Sequence, residues 1–132
     1  MPRSYNARAI ALTIGRTAKW VDNLLSHHAL PGVTGGRQGV QRVISDDGLL
    51  AVEITRLLVV EIGVPLDRAA ALVRAAFAVR SADDMQVTTD SGLVLTFQLP
   101  TIERRLRDRM TEAMESVGHV RRGRPPRMAA TS

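Results

Sequence analysis

In the stretch Ala11–Leu24, ALTIGRTAKWVDNL, small and apolar residues are spaced as in two helices joined by a turn, and we interpret the rest of the chain from this stretch. A small residue, Ala11, is followed four positions later by Gly15, and Ile14 and Val21 lie on either side of that glycine. A helix ending near Ile14, a turn opened by Gly15 and a second helix would bring the apolar positions together, because glycine accepts the positive φ of such a turn. The spacing fits a helix-turn-helix and an ordinary pair of core helices equally well.

Composition narrows the class of protein and its compartment. At 132 residues the chain fits one compact domain with an appendage, and its core must be aliphatic because aromatic residues make up only 3%. The chain has no cysteine, which excludes disulfides and thiolate metal ligands and favours an intracellular location. No apolar run is long enough to cross a bilayer, and the N-terminus lacks the apolar core of a signal peptide. We therefore expect a cytoplasmic protein without a membrane partner.

Positive charge is concentrated at the two ends of the chain. Residues 1–42 contain six Arg or Lys and one acid, residues 43–117 contain eight and twelve, and residues 118–132 contain four Arg and no acid. A polyanion that contacts both ends would explain this separation. A solvated charge pattern without any partner is the alternative.

Periodicity and capping residues predict the first two helices. We place helix one over about Ala7–Ile14, after a frayed polar start, and helix two over about Thr17–His28, with Thr17 as its N-cap. Lys19 and Asn23 fall on the face of helix two that is opposite its apolar residues. In a helix-turn-helix, the second helix is the one that enters the major groove of DNA.

The segment Pro31–Ile44 contains four glycines and is therefore not expected to be helical. Valines on either side of Gly35-Gly36 are typical of strands, so we predict a short hairpin that carries Arg37 and Arg42. A small basic hairpin directly after a helix-turn-helix is a wing, which can contact the flanking phosphates or the minor groove. A flexible linker is the alternative.

The remainder is predicted to contain three helices and a second hairpin. Ser45 should cap a long apolar helix that ends at Gly63, and another helix should follow over about Asp67–Val79. Two strand-like runs around Asp90–Gly92 indicate a hairpin, and a last helix should run from about Thr101 to Val117. An isolated hairpin and helix cannot form a core alone. They must pack on the first domain or on a second copy, and we favour dimerisation.

From about Ile10 to Phe77, the sequence resembles the MerR-type winged helix-turn-helix domain. The resemblance lies in an order of features: the helix-turn-helix, Ala29-Leu30-Pro31, a glycine-rich wing, Arg42–Asp47, a long apolar helix and Gly63-Val-Pro-Leu66. It implies a homodimer on a pseudo-palindromic DNA element, with helix two in the major groove and the wings on the outer phosphates. Small excisionase-type architectural proteins share this domain.

Carried over by position, the resemblance implies a DNA-binding surface on the turn, helix two and the wing. Its members are Thr17, Lys19, Trp20, Asn23, Arg37 and Arg42. Arg16 departs from the family, in which this turn position is usually apolar, and we add it as a further candidate for DNA contact. Trp20 fits a position in the core equally well, and Asp22 departs from the family pattern because a carboxylate there would repel a phosphate. No long coiled coil or effector domain follows, so no small-molecule effector is expected.

The segment Val120–Arg127, VRRGRPPR, resembles an AT-hook. Glycine and proline keep such a segment extended, so that its arginines can lie in the minor groove, which is narrower and more negative over A·T runs. The residues assigned to the hook are Arg121, Arg122, Gly123, Arg124, Pro125 and Arg127. A plain disordered basic tail is the alternative.

Residue patterns for catalysis, a cofactor or a metal are not evident. His27 and His28 are adjacent and point in different directions on a helix, without carboxylates or thiolates to complete a metal site. Asp46-Asp47 fits a helix start and Asp83-Asp84 fits a solvated loop, rather than paired catalytic acids. We therefore expect no enzymatic activity, no cofactor and no metal.

Together these features predict a mainly α protein with small β elements. A winged helix-turn-helix domain is expected over residues 1–80, a β-hairpin plus helix over 81–118, and a disordered basic tail over 119–132. The predicted function is binding of double-stranded, A·T-rich DNA by a transcriptional regulator in the nucleoid. The alternatives are an architectural DNA-binding protein of low selectivity and a protein-interaction module with an incidental basic tail.

Overall fold

In a computed structural model, which describes residues 4–36 and 41–123 and side chains as far as residue 113, the chain is mainly helical with two small antiparallel sheets. This confirms the predicted class, mainly α with small β elements. The elements, in order, are β1 (Ser4–Tyr5), α1 (Ala7–Ile14), α2 (Ala18–His27), β2 (Val33–Thr34), β3 (Val43–Ser45), α3 (Asp46–Arg56), a π-helical segment (Leu57–Ile62), α4 (Leu66–Phe77), β4 (Asp84–Thr88), β5 (Val94–Gln98) and α5 (Leu99–Gly123).

Side-chain caps and one glycine set the limits of α1 and α2. The Asn6 side chain accepts a hydrogen bond from the Ala9 N–H at 2.8 Å, and Thr17 Oγ1 accepts one from the Trp20 N–H at 3.0 Å. Both satisfy backbone donors that the first turn of a helix leaves unpaired. Gly15, with φ of 75°, ends α1 in the left-handed conformation. The predicted limits of both helices agree with the structure to within one residue.

The first sheet has the strand order β1-β3-β2, and both pairings are antiparallel. Ile44 of β3 lies opposite Tyr5 on one side and Val33 on the other, and it is fully buried. The pairing of β2 with β3 confirms the predicted hairpin. The prediction of a frayed start was wrong for Ser4 and Tyr5, since β1 joins this sheet and the Tyr5 hydroxyl donates to Asp46 at 2.6 Å. Residues 1–3 lie outside the described part of the chain.

A close backbone approach joins this sheet to α3. Ser45 caps α3 by accepting the Gly48 N–H at 3.3 Å, and its hydroxyl donates to the Gly32 carbonyl at 3.0 Å. Gly32 has φ of 78°, and a Cβ at this position would lie 2.2 Å from the Gly48 backbone nitrogen. Neither the conformation nor the space accommodates a side chain. The predicted serine cap is thus confirmed, and a glycine contact that sequence reasoning missed fixes its position.

Residues 81–113 pack on the rest of the chain and share its single core. The hairpin and α5 contribute Met85, Val87, Leu99, Leu106 and Met110 to the cluster of buried apolar residues that also contains the inner faces of α1 to α4. The Thr13 hydroxyl of α1 donates to Met110 Sδ at 3.4 Å, which places α5 directly on α1. The sequence left two ways for this segment to bury its apolar residues, by dimerisation or by packing on the first domain. The structure shows that they pack on the first domain.

The last helix is longer than predicted. The sequence placed its end near Val117, whereas α5 continues to Gly123, so that Arg121, Arg122 and Gly123 have helical backbone rather than the extended backbone expected of an AT-hook. The helix continues through Gly118, because a glycine inside a helix costs only about 1 kcal/mol, whereas a proline such as Pro125 disfavours helical backbone at the residue preceding it. The remaining residues assigned to the hook, Arg124, Pro125 and Arg127, lie outside the described part of the chain.

Candidate nucleic-acid interface

Helix α2 has one face in the core and one face in solvent. Val21 and Leu24 are fully buried, whereas Lys19 and Asn23 are exposed. Lys19 and Asn23 are four residues apart, so their side chains are neighbours on successive turns of the exposed face. The exposed face of α2 therefore carries an ammonium group and an amide group side by side, while the opposite face of the helix is packed in the core.

The turn before α2 carries a second cation. The Arg16 guanidinium carbon lies 5.3 Å from the centroid of the Trp20 ring, a distance at which a cation is attracted by the face of an aromatic ring. Trp20 is partly buried against the core, so it is both a packing residue and the support of Arg16. Thr17 is exposed, but its hydroxyl oxygen accepts the Trp20 N–H as the helix cap, which gives Thr17 a structural role.

An ion pair attaches hairpin β2–β3 to α2. Arg42 Nη1 lies 2.8 Å from Asp22 Oδ1, and the same guanidinium donates to Ser26 Oγ at 3.4 Å. The Arg42 side chain is only 18% exposed, whereas that of Asp22 is 58% exposed. Gly36 also lies against Arg42, since a Cβ on this glycine would come within 3.1 Å of Nε. Arg42 was predicted to contact DNA, but in the structure its guanidinium is bonded within the protein.

This pairing gives Asp22 a partner that the sequence did not reveal. An acid on the exposed face of α2 contradicts the expected charge of a DNA-binding helix, yet its charge is matched by a cation twenty residues further along the chain. Helical and strand periodicity connect only near neighbours, so neither could indicate a contact across this separation. The one available signal was the placement of opposite charges in two segments expected to lie side by side.

The C-terminal end of α2 is fixed by two polar contacts to α4. His28 Nε2 lies 3.1 Å from Asp67 Oδ1, and Arg74 donates to the Ala29 carbonyl at 3.1 Å. The carbonyl of Ala29 lies just beyond the helix end, where backbone acceptors have no partner within the helix. His28 therefore joins two helices, and α2 is held at both ends.

A buried ion pair lies apart from these residues, in α3. Arg56 donates to both carboxylate oxygens of Glu53, at 2.7 Å and 3.0 Å. This hydrogen bonding raises the pKa of Arg56 above its ordinary value, against the opposing effect of burial. Because both carboxylate oxygens accept from the same guanidinium, the pair is internally satisfied. It acts as a structural contact rather than as an acid or base.

A cleft lies between β1, the start of α3 and α5. Its volume is about 360 Å³, and it is lined by Leu49, Leu50, Leu106 and Met110 beneath a rim of Tyr5, Asp46, Asp47, Glu103 and Arg107. Two of the rim acids have partners, since Asp46 accepts from the Tyr5 hydroxyl and Asp47 pairs with Arg80 at 3.2 Å. Among the described residues, no group of three or more His, Asp or Glu side chains could hold a metal ion.

Of the predicted DNA-binding residues, the structure brings those of the turn and α2 into one surface, beside which Arg42 lies. Those residues are Arg16, Thr17, Lys19, Trp20 and Asn23. Arg37 falls outside the described residues, and so do Arg124, Pro125 and Arg127, while Arg121, Arg122 and Gly123 belong to the last turns of α5. In the part of the chain that the structure describes, no helix has both the length and the apolar character to cross a membrane.

Comparison with known proteins does not assign the chain to a family. Its resemblance to MerR-type domains rests on the order of features along the sequence, and the geometry of α1, α2 and hairpin β2–β3 stands independently of it. No protein-family model, curated protein or solved structure matches this chain.

Proposed function

We propose that this protein binds double-stranded DNA and acts as a transcriptional regulator, with α2 in the major groove. The observation that carries the proposal is the exposed face of α2, on which Lys19 and Asn23 lie one turn apart while Val21 and Leu24 fix the opposite face in the core. Asparagine can pair with adenine through two hydrogen bonds, and lysine can pair with guanine or a phosphate. Arg16, held by Trp20 at the start of α2, adds a cation next to this face.

The position of hairpin β2–β3 supports a winged helix-turn-helix arrangement of the MerR type. Arg42 holds the hairpin against α2 and matches the charge of Asp22, which would otherwise repel phosphates. In the proposed complex the hairpin lies over the DNA backbone beside the groove that α2 occupies. Arg37, within the hairpin sequence, is then the residue expected to contact a phosphate.

The arginines after residue 118 are proposed to add contacts in the minor groove. Because Arg121 and Arg122 belong to the end of α5, the extended insertion is assigned to Arg124 and Arg127, which flank Pro125-Pro126, a pair that favours extended backbone. Arginine side chains are attracted to the narrow, electronegative minor groove of A·T runs. These contacts would increase affinity and bias it towards A·T-rich sites, while α2 provides the reading of individual bases.

The experiment that tests the proposal measures binding of the purified full chain to random and A·T-rich duplexes over a range of salt concentrations. Each phosphate contact should contribute about −0.9 to the slope of log affinity against log salt, so several contacts should give a steep loss. Absence of binding at low salt would refute the DNA-binding proposal. An Arg124→Ala variant tests the tail, and an unchanged preference for A·T-rich duplexes would reject its minor-groove role.

The role of α2 is tested on a duplex selected by the protein from a random-sequence pool. Replacing both Lys19 and Asn23 by alanine should lower affinity for the selected duplex by about thirtyfold or more, because each good base contact is worth about 1–3 kcal/mol and two are removed. Affinity for random duplexes should fall less. Arg105→Ala, which removes one exposed cation from α5, is the matched control and should leave discrimination intact. Equal losses on both duplexes would reject base reading by α2.

A further inference from the structure

Strand β5 is the open edge of the second sheet. It pairs with β4 in an unbroken antiparallel register from Asp84 opposite Gln98 to Thr88 opposite Val94, and in the described part of the chain β4 is its only neighbouring strand. Its sequence, VLTFQ, has no charged residue, no proline and no glycine. Proteins usually protect an edge strand with charges, proline or a bulge, because its unpaired backbone groups can bind another strand. None of these devices occurs within β5.

The hydrogen bonds at the two ends of the hairpin show which residues of β5 direct their backbone outward. The Leu99 N–H donates to the Asp83 carbonyl at 3.0 Å, and the Leu93 carbonyl accepts from the Thr89 N–H at 2.8 Å. Since bonded and non-bonded pairs alternate in an antiparallel ladder, the odd-numbered residues of β5 bond to β4. The even-numbered residues, whose N–H and C=O groups therefore point away from β4, are Val94, Thr96 and Gln98.

The side chains of β5 are also less completely covered than those of β4. Met85 and Val87 of β4 are almost fully buried, whereas their partners Phe97 and Leu95 are only half-buried. At the start of β5, Val94 is 55% exposed, and Leu93 just before it is 57% exposed. Leu95 and Phe97 lie on the same face as Met85 and Val87, so the apolar face of the hairpin continues to the outer edge of β5, where it is incompletely covered.

We propose that β5 pairs with β5 of a second copy of this chain, antiparallel and about a two-fold axis at Thr96. The three outward residues are spaced symmetrically about Thr96, so this register places Thr96 opposite Thr96 of the partner subunit and Val94 opposite Gln98 of the partner subunit. The Thr96 pair exchanges both backbone hydrogen bonds, and each Gln98 N–H donates to the carbonyl of Val94 of the partner subunit. The Gln98 carbonyl takes no part, because it accepts the first hydrogen bond of α5. The product is a continuous four-stranded sheet with the order β4-β5-β5-β4.

The same register also brings the apolar side chains together. Leu95 lies opposite Phe97 of the partner subunit in the non-hydrogen-bonded pairs, where side chains of an antiparallel ladder approach most closely. The remaining exposed surface of both residues is then buried on one face of the joined sheet. A second copy fits this edge by symmetry, since an isologous interface requires one surface to complement itself. The proposal concerns the oligomer and does not depend on DNA binding.

Because the natural sequence has no cysteine, a disulfide can form only at a cysteine that is introduced. In Thr96→Cys the only two thiols of the dimer meet at the axis, where directly opposite Cα atoms lie about 5.5 Å apart, within the range of a disulfide. Mild oxidation should therefore convert this variant to a covalent dimer. Gln86→Cys, which places the thiol opposite residue 96 on β4, is the matched control and should remain uncrosslinked. No crosslinking at residue 96, or equal crosslinking in both variants, would overturn the proposal.

The mass in solution provides the second test. Sedimentation equilibrium of the wild-type chain should give twice the chain mass of 14.4 kDa. Thr96→Lys places two like charges at the axis and should halve the measured mass, whereas Gln86→Lys on the same exposed face should not change it. Thr96→Pro removes an N–H that β4 does not use and should also yield monomers. A wild-type monomer, or a dimer that persists in the lysine and proline variants with their thermal unfolding preserved, would overturn the proposal.

Discussion

The two hairpins of this molecule share a topology but differ in charge and in the state of their edges. Hairpin β2–β3 has β1 on its other side, so β3 is a central strand, and an ion pair between Arg42 and Asp22 attaches it to α2. Hairpin β4–β5 is held mainly by Met85 and Val87 in the core, and β5 is an open edge. The partner proposed for the first is a polyanion and that proposed for the second is another strand, because side-chain charge and unpaired backbone select different partners.

The largest expected difference between the hairpins concerns their glycines. Gly32, which precedes β2, and Gly92, in the β4–β5 turn, both have positive φ, but only Gly32 has backbone atoms in the space of a Cβ. Gly32→Ala should therefore lower the free energy of unfolding by about 3 kcal/mol or more, and Gly92→Ala by about 1 kcal/mol. Urea denaturation of both variants measures the difference. Similar losses would show that the contact between Gly32 and α3 is not tight.

An intermediate effect is expected from the ion pair that attaches the first hairpin. Arg42→Ala leaves Asp22 unpaired next to the proposed DNA backbone and should weaken DNA binding by about tenfold, or about 1.4 kcal/mol. The double variant Asp22→Ala, Arg42→Ala should recover most of this affinity, because it removes the repulsive charge as well. Fluorescence anisotropy at fixed salt measures both. A double variant as weak as Arg42→Ala would instead show that Arg42 acts by holding the hairpin or by contacting DNA, and not by matching the charge of Asp22.

The smallest effect is expected from the ion pair that joins the turn of the second hairpin to α4. Arg68 and Asp90 are 49% and 80% exposed, and pairs this exposed contribute little because water screens them. Asp90→Ala should change the free energy of unfolding by less than about 0.5 kcal/mol and should leave the oligomer intact. Thermal unfolding and sedimentation check the two outcomes. A loss above about 1 kcal/mol would mean that the turn is anchored more firmly than its exposure indicates.

Local signals in the sequence were sufficient for most element limits. Thr17 and Ser45 cap the helices that they were predicted to cap, and valines around the paired glycines correctly indicated a hairpin. Capping and strand propensity are short-range effects, which a single sequence displays directly. The coarse fold class was predictable for that reason.

Features that depend on distant parts of the chain were not predictable. Strand β1 is two residues long and exists because β3 pairs with it, so it has no periodicity of its own. The contact between Asp22 and Arg42 joins two elements across a turn, and the end of α5 depends on where Pro125 interrupts helix formation. The exposed residues of α2 were identified correctly, whereas the partner of Asp22 required the tertiary structure.

The π-helical segment Leu57–Ile62 affects how the chain tolerates changes of length. Its wider turn, visible in the Gly63 N–H donating to the Leu58 carbonyl five residues earlier, contains more residues than an α-helical turn. Deleting one residue here could be absorbed by a return to α-helical winding. The same deletion within Asp46–Arg56 would rotate everything after it by about 100°, since an α-helix has about 3.6 residues per turn. We therefore expect a one-residue deletion to be tolerated better in the π-helical segment between α3 and α4 than within α3.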